Sequence, residues 1–138
     1  KSIAVIAPRV EGLTEPDVIP DFISSLVSIG MQVEKVEGYI TKPSDKTHYL
    51  NELQQIINGE IDLIAFTSTA EIEALIGMLG EVEILNKNTI ACFGPFTEAN
   101  AQKLGVRVDF TGQNFHSFEA YVKEIAEFLN KNENEKAR

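Results

Sequence analysis

The chain has 138 residues, 43% of them hydrophobic and 24% charged, which is the profile of one folded domain and excludes a disordered segment. Its 12 Lys and Arg against 21 Asp and Glu leave a net charge of −9, a surface that repels phosphate backbones and sets aside a general nucleic-acid binder. The apolar runs, such as residues 3–8 and 63–66, are too short to span a membrane.

Ile3-Ala4-Val5-Ile6-Ala7 reads as a buried strand ended by Pro8. Residues 17–29 read as a helix, with Pro20 tolerated in the first turn, where an N–H has no intrahelical partner. Phe22, Ile23, Leu26, Val27 and Ile29 form its expected apolar face, and Gly30 its stop. Residues 31–40 give a second, more polar strand that suits a sheet edge. Residues 41–46, Thr-Lys-Pro-Ser-Asp-Lys, are the most linker-like stretch. A helix over 47–57 follows, closed by Asn58-Gly59, and then a third strand over 61–66. Ser68 and Glu71 have capping-box spacing, so a helix starts directly after that strand, burying Ile72, Leu75, Ile76 and Leu79. Residues 89–93 form a fourth strand, and Gly94-Pro95-Phe96-Thr97 turns it into a helix closed by Gly105. Residues 106–110 form a fifth strand. Ser117 caps a last helix carrying Phe118, Tyr121, Val122, Ile125, Phe128 and Leu129 at helical spacing. Residues 131–138 read as a charged, frayed tail, which leaves 1–130 as a single α/β domain.

Strands alternating with helices imply βαβ units with right-handed crossovers. The simplest product is a flavodoxin-like α/β fold, a parallel five-stranded sheet with helices on both faces. Ligands of such sheets sit beyond the carboxyl ends of the strands, here Pro8-Arg9, Ile40-Thr41, Thr67-Ser68-Thr69, Gly94 to Thr97, and Thr111-Gly112.

Several chemistries of this architecture are missing. Ala7-Pro8-Arg9 and Phe66-Thr67-Ser68 stand where a receiver domain needs its acidic residues, and Arg9-Val10-Glu11-Gly12 is a poor phosphate loop for FMN. There is no GxGxxG, GxxxxGK[ST] or GxSxG motif. His48 and His116 are isolated, and no Cys/His cluster exists to hold a metal. The single cysteine, Cys92, sits mid-strand as a small buried hydrophobe and has no partner for an internal disulfide, which fits a reducing, cytoplasmic setting. What is left is a set of hydroxyls and amides ahead of two helices. Two helix N-termini opening into one crevice make an anion site suited to carboxylates. The alternative is that Ser68 and Thr97 are N-caps and nothing more.

At these same loops the chain resembles uroporphyrinogen-III synthase, and specifically the C-terminal of that family's two similar sequence halves. Asp62-Leu63-Ile64-Ala65-Phe66-Thr67-Ser68 is similar to the family's strand ending in Phe-Thr-Ser. Thr89 through Thr97 is similar to its strand and Gly-Pro-x-Thr turn, and the stretch to Phe110 to its helix, Leu-Gly and Val-x-Val-Asp strand. Val36-Glu37-Gly38-Tyr39-Ile40-Thr41 resembles its Val-Tyr-x-Thr segment, and Ile6-Ala7-Pro8-Arg9 has a counterpart too.

The resemblance implies a lyase of tetrapyrrole (heme) biosynthesis that uses no metal and no organic cofactor. Its substrate would be hydroxymethylbilane, a linear tetrapyrrole with carboxylate arms, closed to uroporphyrinogen III with inversion of the last ring. Tyr39 would assist departure of the hydroxyl. Arg9, Thr41, Thr67, Ser68, Thr69, Gly94 and Thr97 would bind substrate. A non-catalytic tetrapyrrole-binding or regulatory module is the alternative. No nucleic acid or membrane is implied as partner, and plastid stroma is the alternative to cytoplasm. A chain resembling one half would work with a second half, close on itself, or exchange strands in a homodimer through the linker at 41–46.

Overall fold

The alternation of apolar runs and amphipathic stretches folds as mixed α/β structure with parallel strands in the computed structural model, which describes residues 1–137. The chain divides into two compact units, Lys1–Asp45 and a second from Lys46 onward. The boundary falls inside the segment that composition marks as a linker.

In the first unit, β1 (Ser2–Val10) pairs in parallel with β2 (Gln32–Thr41), and α1 (Val18–Ser28) connects them. Val5 and Ala7 are buried while Ile6 between them is exposed, so β1 alternates in burial instead of being covered on both sides. Lys35, in register with Val5, lines a cleft with Ile19 and Ile23 of α1, which places the helix on the Val5–Ala7 face. The stripe of α1 that is at least half-buried is Ile19, Ile23 and Leu26, at i, i+4 and i+7. Phe22, Val27 and Ile29, expected on that face, are exposed. They lie off the stripe that a single two-stranded sheet can cover.

The second unit opens with a 3-10 turn (Lys46–Tyr49) and α2 (Leu50–Asn58), closed by Gly59 in the left-handed region. A three-stranded parallel sheet follows in the order β3-β4-β5, made of Ile64–Phe66, Ile90–Cys92 and Phe110–Thr111. Between the strands lie α3 (Thr69–Leu79), a short α4 (Val82–Leu85) and α5 (Pro95–Lys103), and α6 (Phe118–Lys136) ends the described chain. Phe66, Ile90 and Cys92 from the strands pack with Ile72, Leu85, Ala101 and Val106 to form the core. On the other side, the Phe110 ring meets Tyr121 and Phe128 of α6 with centroids at 6.4 and 5.1 Å. This smaller sheet therefore carries helices on both faces.

The expected single five-stranded flavodoxin-like sheet is corrected by this arrangement: the strands divide into a pair and a triplet. β1 has nine residues, whereas β3 has three and directs its first amide, Ile64 N–H, to Thr89 O on the β4 side at 2.9 Å. The fifth strand is also shorter and later than expected. Val106 N–H bonds back to Ala101 O at 2.9 Å and Arg107 N–H to Asn86 Oδ1 at 2.8 Å, so those groups are unavailable to a ladder. The last helix runs on through residues read as a frayed tail, to Lys136.

Candidate functional site

The proposed site residues fall in two groups, one in each unit. In the first unit the register places Tyr39 opposite Pro8, Ile40 opposite Arg9 and Thr41 opposite Val10, so Arg9, Tyr39 and Thr41 share the carboxyl end of one strand pair. The pairing jumps from Ala7↔Glu37 to Pro8↔Tyr39, leaving Gly38 as the extra residue of a bulge. Without that bulge Tyr39 would face the α1 side with Ala7; with it, Tyr39 joins the exposed face that carries Ile6 and Val36. Tyr39 is 57% exposed. Arg9 is not a free cation, since its Nε lies 3.0 Å from Glu11 Oε1. Thr41 is half-buried, and its carbonyl accepts from Glu11 N–H at 2.9 Å.

In the second unit, β3 and β4 are neighbouring parallel strands, so α3 and α5 both start at the same rim. Asn100 Nδ2 donates to Thr69 Oγ1 at 3.1 Å, and the Thr97 hydroxyl lies 3.5 Å from Thr67 O. The structure thus brings Thr67, Ser68, Thr69, Gly94 and Thr97 together. Thr97 is buried, so its hydroxyl braces the two turns. Gly94 is the N-cap of α5 in extended conformation, and a Cβ there would stand 2.8 Å from Phe115 Cβ. Only glycine lets the 112–117 loop lie that close.

The amides ahead of α3 are occupied from within the chain. Glu71 Oε2 accepts from Thr67 N–H at 2.7 Å and Ser68 N–H at 3.2 Å, and Glu71 Oε1 accepts from the Thr67 hydroxyl at 2.7 Å. This is the expected capping box, extended by the threonine.

Beneath the rim, Cys92 is fully buried and its thiol is pushed up to about 11, first by burial and then by Glu98, which suits the packing role expected of it and no nucleophile. Tyr121 is 3% exposed and its hydroxyl has no hydrogen-bond partner. Burial, and then Cys92 and Glu71, push that hydroxyl's pKa upward. The loop between β5 and α6 is fastened by Glu124, which accepts from Gln113 N–H at 2.9 Å and from the Asn114 amide. No group of His, Cys, Asp and Glu among the described residues is arranged to hold a metal.

A family model described as uroporphyrinogen-III synthase HemD matches residues 8–120. The chain belongs to the uroporphyrinogen-III synthase family. The match crosses both units and contains every position named above as a candidate, from Arg9 to Thr97. No curated protein and no solved structure gives a significant match.

Three further residues support the candidate positions, Glu71 and Phe115 in the second unit and Gly38 in the first. Glu71 was visible as a cap, and its i, i+4 spacing from Thr67 was the signal for the further bond. Gly38 inside a strand was the signal for a bulge. Phe115 had no signal, because its contact with Gly94 depends on how the loop after β5 folds.

Proposed function

We propose that the chain serves uroporphyrinogen-III synthase chemistry, the cyclisation of hydroxymethylbilane with inversion of the terminal ring. The observation that carries this reading is the convergence of two helix starts, after Phe66 and after Phe93, on one rim of a chain that belongs to the family. The substrate loses its end hydroxyl as water, leaving an azafulvene cation. The far ring attacks that cation through a spiro intermediate, a C–C bond migrates, and a proton is lost as the macrocycle closes. The protein's task is to fold a flexible bilane so that its ends meet, and orientation of this kind can remove a large part of the barrier.

Within this reading Tyr39 supplies the proton that turns the hydroxyl into water, and its exposed position on β2 supports access to substrate. Thr67, Ser68, Thr69, Gly94 and Thr97 form the second contact surface. Thr41 shares the face of Tyr39, and Arg9, opposite Ile40, lies at the same strand end on the other face. No helix among the described residues is long and apolar enough to cross a membrane.

The first unit needs completion, because Val5 and Ala7 are its buried residues and a two-stranded sheet is marginal by itself in water. A second half of a longer protein, or strand exchange between two copies, would supply it. Light scattering after size exclusion at several concentrations tests this, and a strictly monomeric mass removes strand exchange. The catalytic reading is tested with Tyr39→Phe. A loss of about 100-fold in isomer III formation is expected, the low end for removing a general acid, with the melting temperature unchanged. An unaltered rate removes Tyr39 from the mechanism. Tetrapyrrole binding without conversion by the unsubstituted chain would favour a binding module instead.

A further inference from the structure

Of the strand edges that the two sheets leave open among the described residues, three carry features that keep another strand from adding. β3 and β5 are three and two residues long, too short to template a strand. β2 holds Glu34, Lys35 and Glu37 and is bent by the bulge at Gly38, and charges and bulges both turn a further strand away. β1 is nine residues long and has no charged side chain from Ser2 to Pro8. We propose that the open edge of β1 is an interface to a second copy of the chain, the two strands pairing antiparallel about a two-fold axis at Ala4.

The backbone of β1 shows which groups are on offer. Gln32 N–H bonds to Lys1 O at 3.0 Å and Glu11 N–H to Thr41 O at 2.9 Å, at the two ends of the β1–β2 ladder. Alternate residues of a strand turn their backbone groups to the same neighbour, so the odd-numbered residues of β1 serve β2. Ser2, Ala4 and Ile6 turn theirs to the open edge, and all three residues are exposed. Pro8 faces the same way without an N–H, and its ring would meet the carbonyl of a residue set opposite it.

The stretch is its own complement. About an axis at Ala4, Ser2 lies opposite Ile6 of the second copy and Ala4 opposite Ala4, each pair exchanging both of its N–H···O bonds. Ile3 then lies opposite Val5 of the second copy on the side of the sheet that α1 covers, a pair of branched side chains that pack well across strands. Pro8 stays beyond the last pair, whereas an axis at Ile6 would set it against Ala4. For a chain of net charge −9, an uncharged strand is also where two copies approach with least repulsion. The product is a four-stranded sheet in the order β2-β1-β1-β2, where a sheet of two strands is marginal in water. It ends at two copies, because both outer edges are then the charged, bulged β2. No segment leaves its own unit, which separates this pairing from strand exchange.

The test is sedimentation equilibrium of the full chain over a range of concentrations. A monomer–dimer equilibrium is expected, with hydrogen exchange at the Ala4 and Ile6 amides slowing as the dimer fills. Ala4→Lys and Ala4→Glu each set like charges opposite one another at the axis, and each is expected to weaken dimerisation by about tenfold or more. Their equimolar mixture is expected to dimerise again, since opposite charges then meet. Ala4→Pro removes an N–H that β1 does not give to β2, so it is expected to fold and to stay monomeric. Thermal melting checks that each variant is folded, and the Lys and Glu variants decide the matter if the proline variant is not. A monomer at every concentration overturns the proposal. So does a dimer that survives in Ala4→Lys and Ala4→Glu alike, the behaviour of strand exchange or of another face. A mixture of those two variants that stays monomeric overturns it as well.

Discussion

Gly38 lies directly against Ile6: a Cβ added to the glycine would stand 2.8 Å from Ile6 Cγ2. The bulge that turns Tyr39 onto the exposed face therefore closes without displacing Ile6 because position 38 has no side chain. Gly38→Ala is expected to destabilise the chain by about 1 kcal/mol, the low end for overpacking because Ile6 is exposed and can move. The double variant Gly38→Ala/Ile6→Ala is expected to recover most of that loss in urea unfolding. Simple additivity of the two single changes would mean that the contact is not the cause.

Gly112→Ala is a harsher change of the same kind. Its Cβ would meet Phe93 O at 2.5 Å and Tyr121 Cδ2 at 2.8 Å, and a backbone carbonyl just past the end of β4 cannot swing aside as a side chain can. A loss of about 2–3 kcal/mol is expected. A midpoint no lower than that of Gly38→Ala would show that the loop after β5 is softer than its contacts indicate.

Tyr121→Phe deletes a buried hydroxyl that has no partner. The loss of an unsatisfied polar group is neutral or stabilising, by up to about 1 kcal/mol, and an equal or higher melting temperature is expected. A marked drop would show that the hydroxyl is bonded in solution.

The sequence made much of the second unit legible. The capping box at Ser68 and Glu71, the turn at Gly94-Pro95 and the glycine stops are all local devices whose partners lie within four residues. The adjacency of the two helix starts followed from parallel pairing alone. The division into two sheets was not legible, because the alternation of strands and helices shows which stretches are strands and not which strands share a ladder. Nor was the exposure of Phe22, Val27 and Ile29, since helical spacing shows which residues are apolar and not how wide a surface covers them. At the candidate site, residue types were readable, whereas the direction of their hydrogen bonds was not: Glu71 uses the donors that looked free.

The Glu124 carboxylate is held below its ordinary range, first by the Gln113 amide and then by the Asn114 side chain. A depressed folded-state value means that the carboxylate stabilises the 112–114 loop above the unfolded pKa. That contribution is lost as pH falls through the folded value. Hydrogen exchange at the Gln113 amide is therefore expected to lose protection, relative to its intrinsic rate, on acidification through and below the ordinary carboxylate range. In Glu124→Gln that pH dependence should be absent. Equal profiles for the two chains would contradict the assignment.

The most direct measurement of the central claim is the isomer composition of the macrocycle formed when purified chain is added to freshly made hydroxymethylbilane. The account predicts that uroporphyrinogen III accumulates faster than the spontaneous isomer I, in proportion to the protein added. A product that is isomer I at the spontaneous rate, whatever the protein concentration, would contradict it.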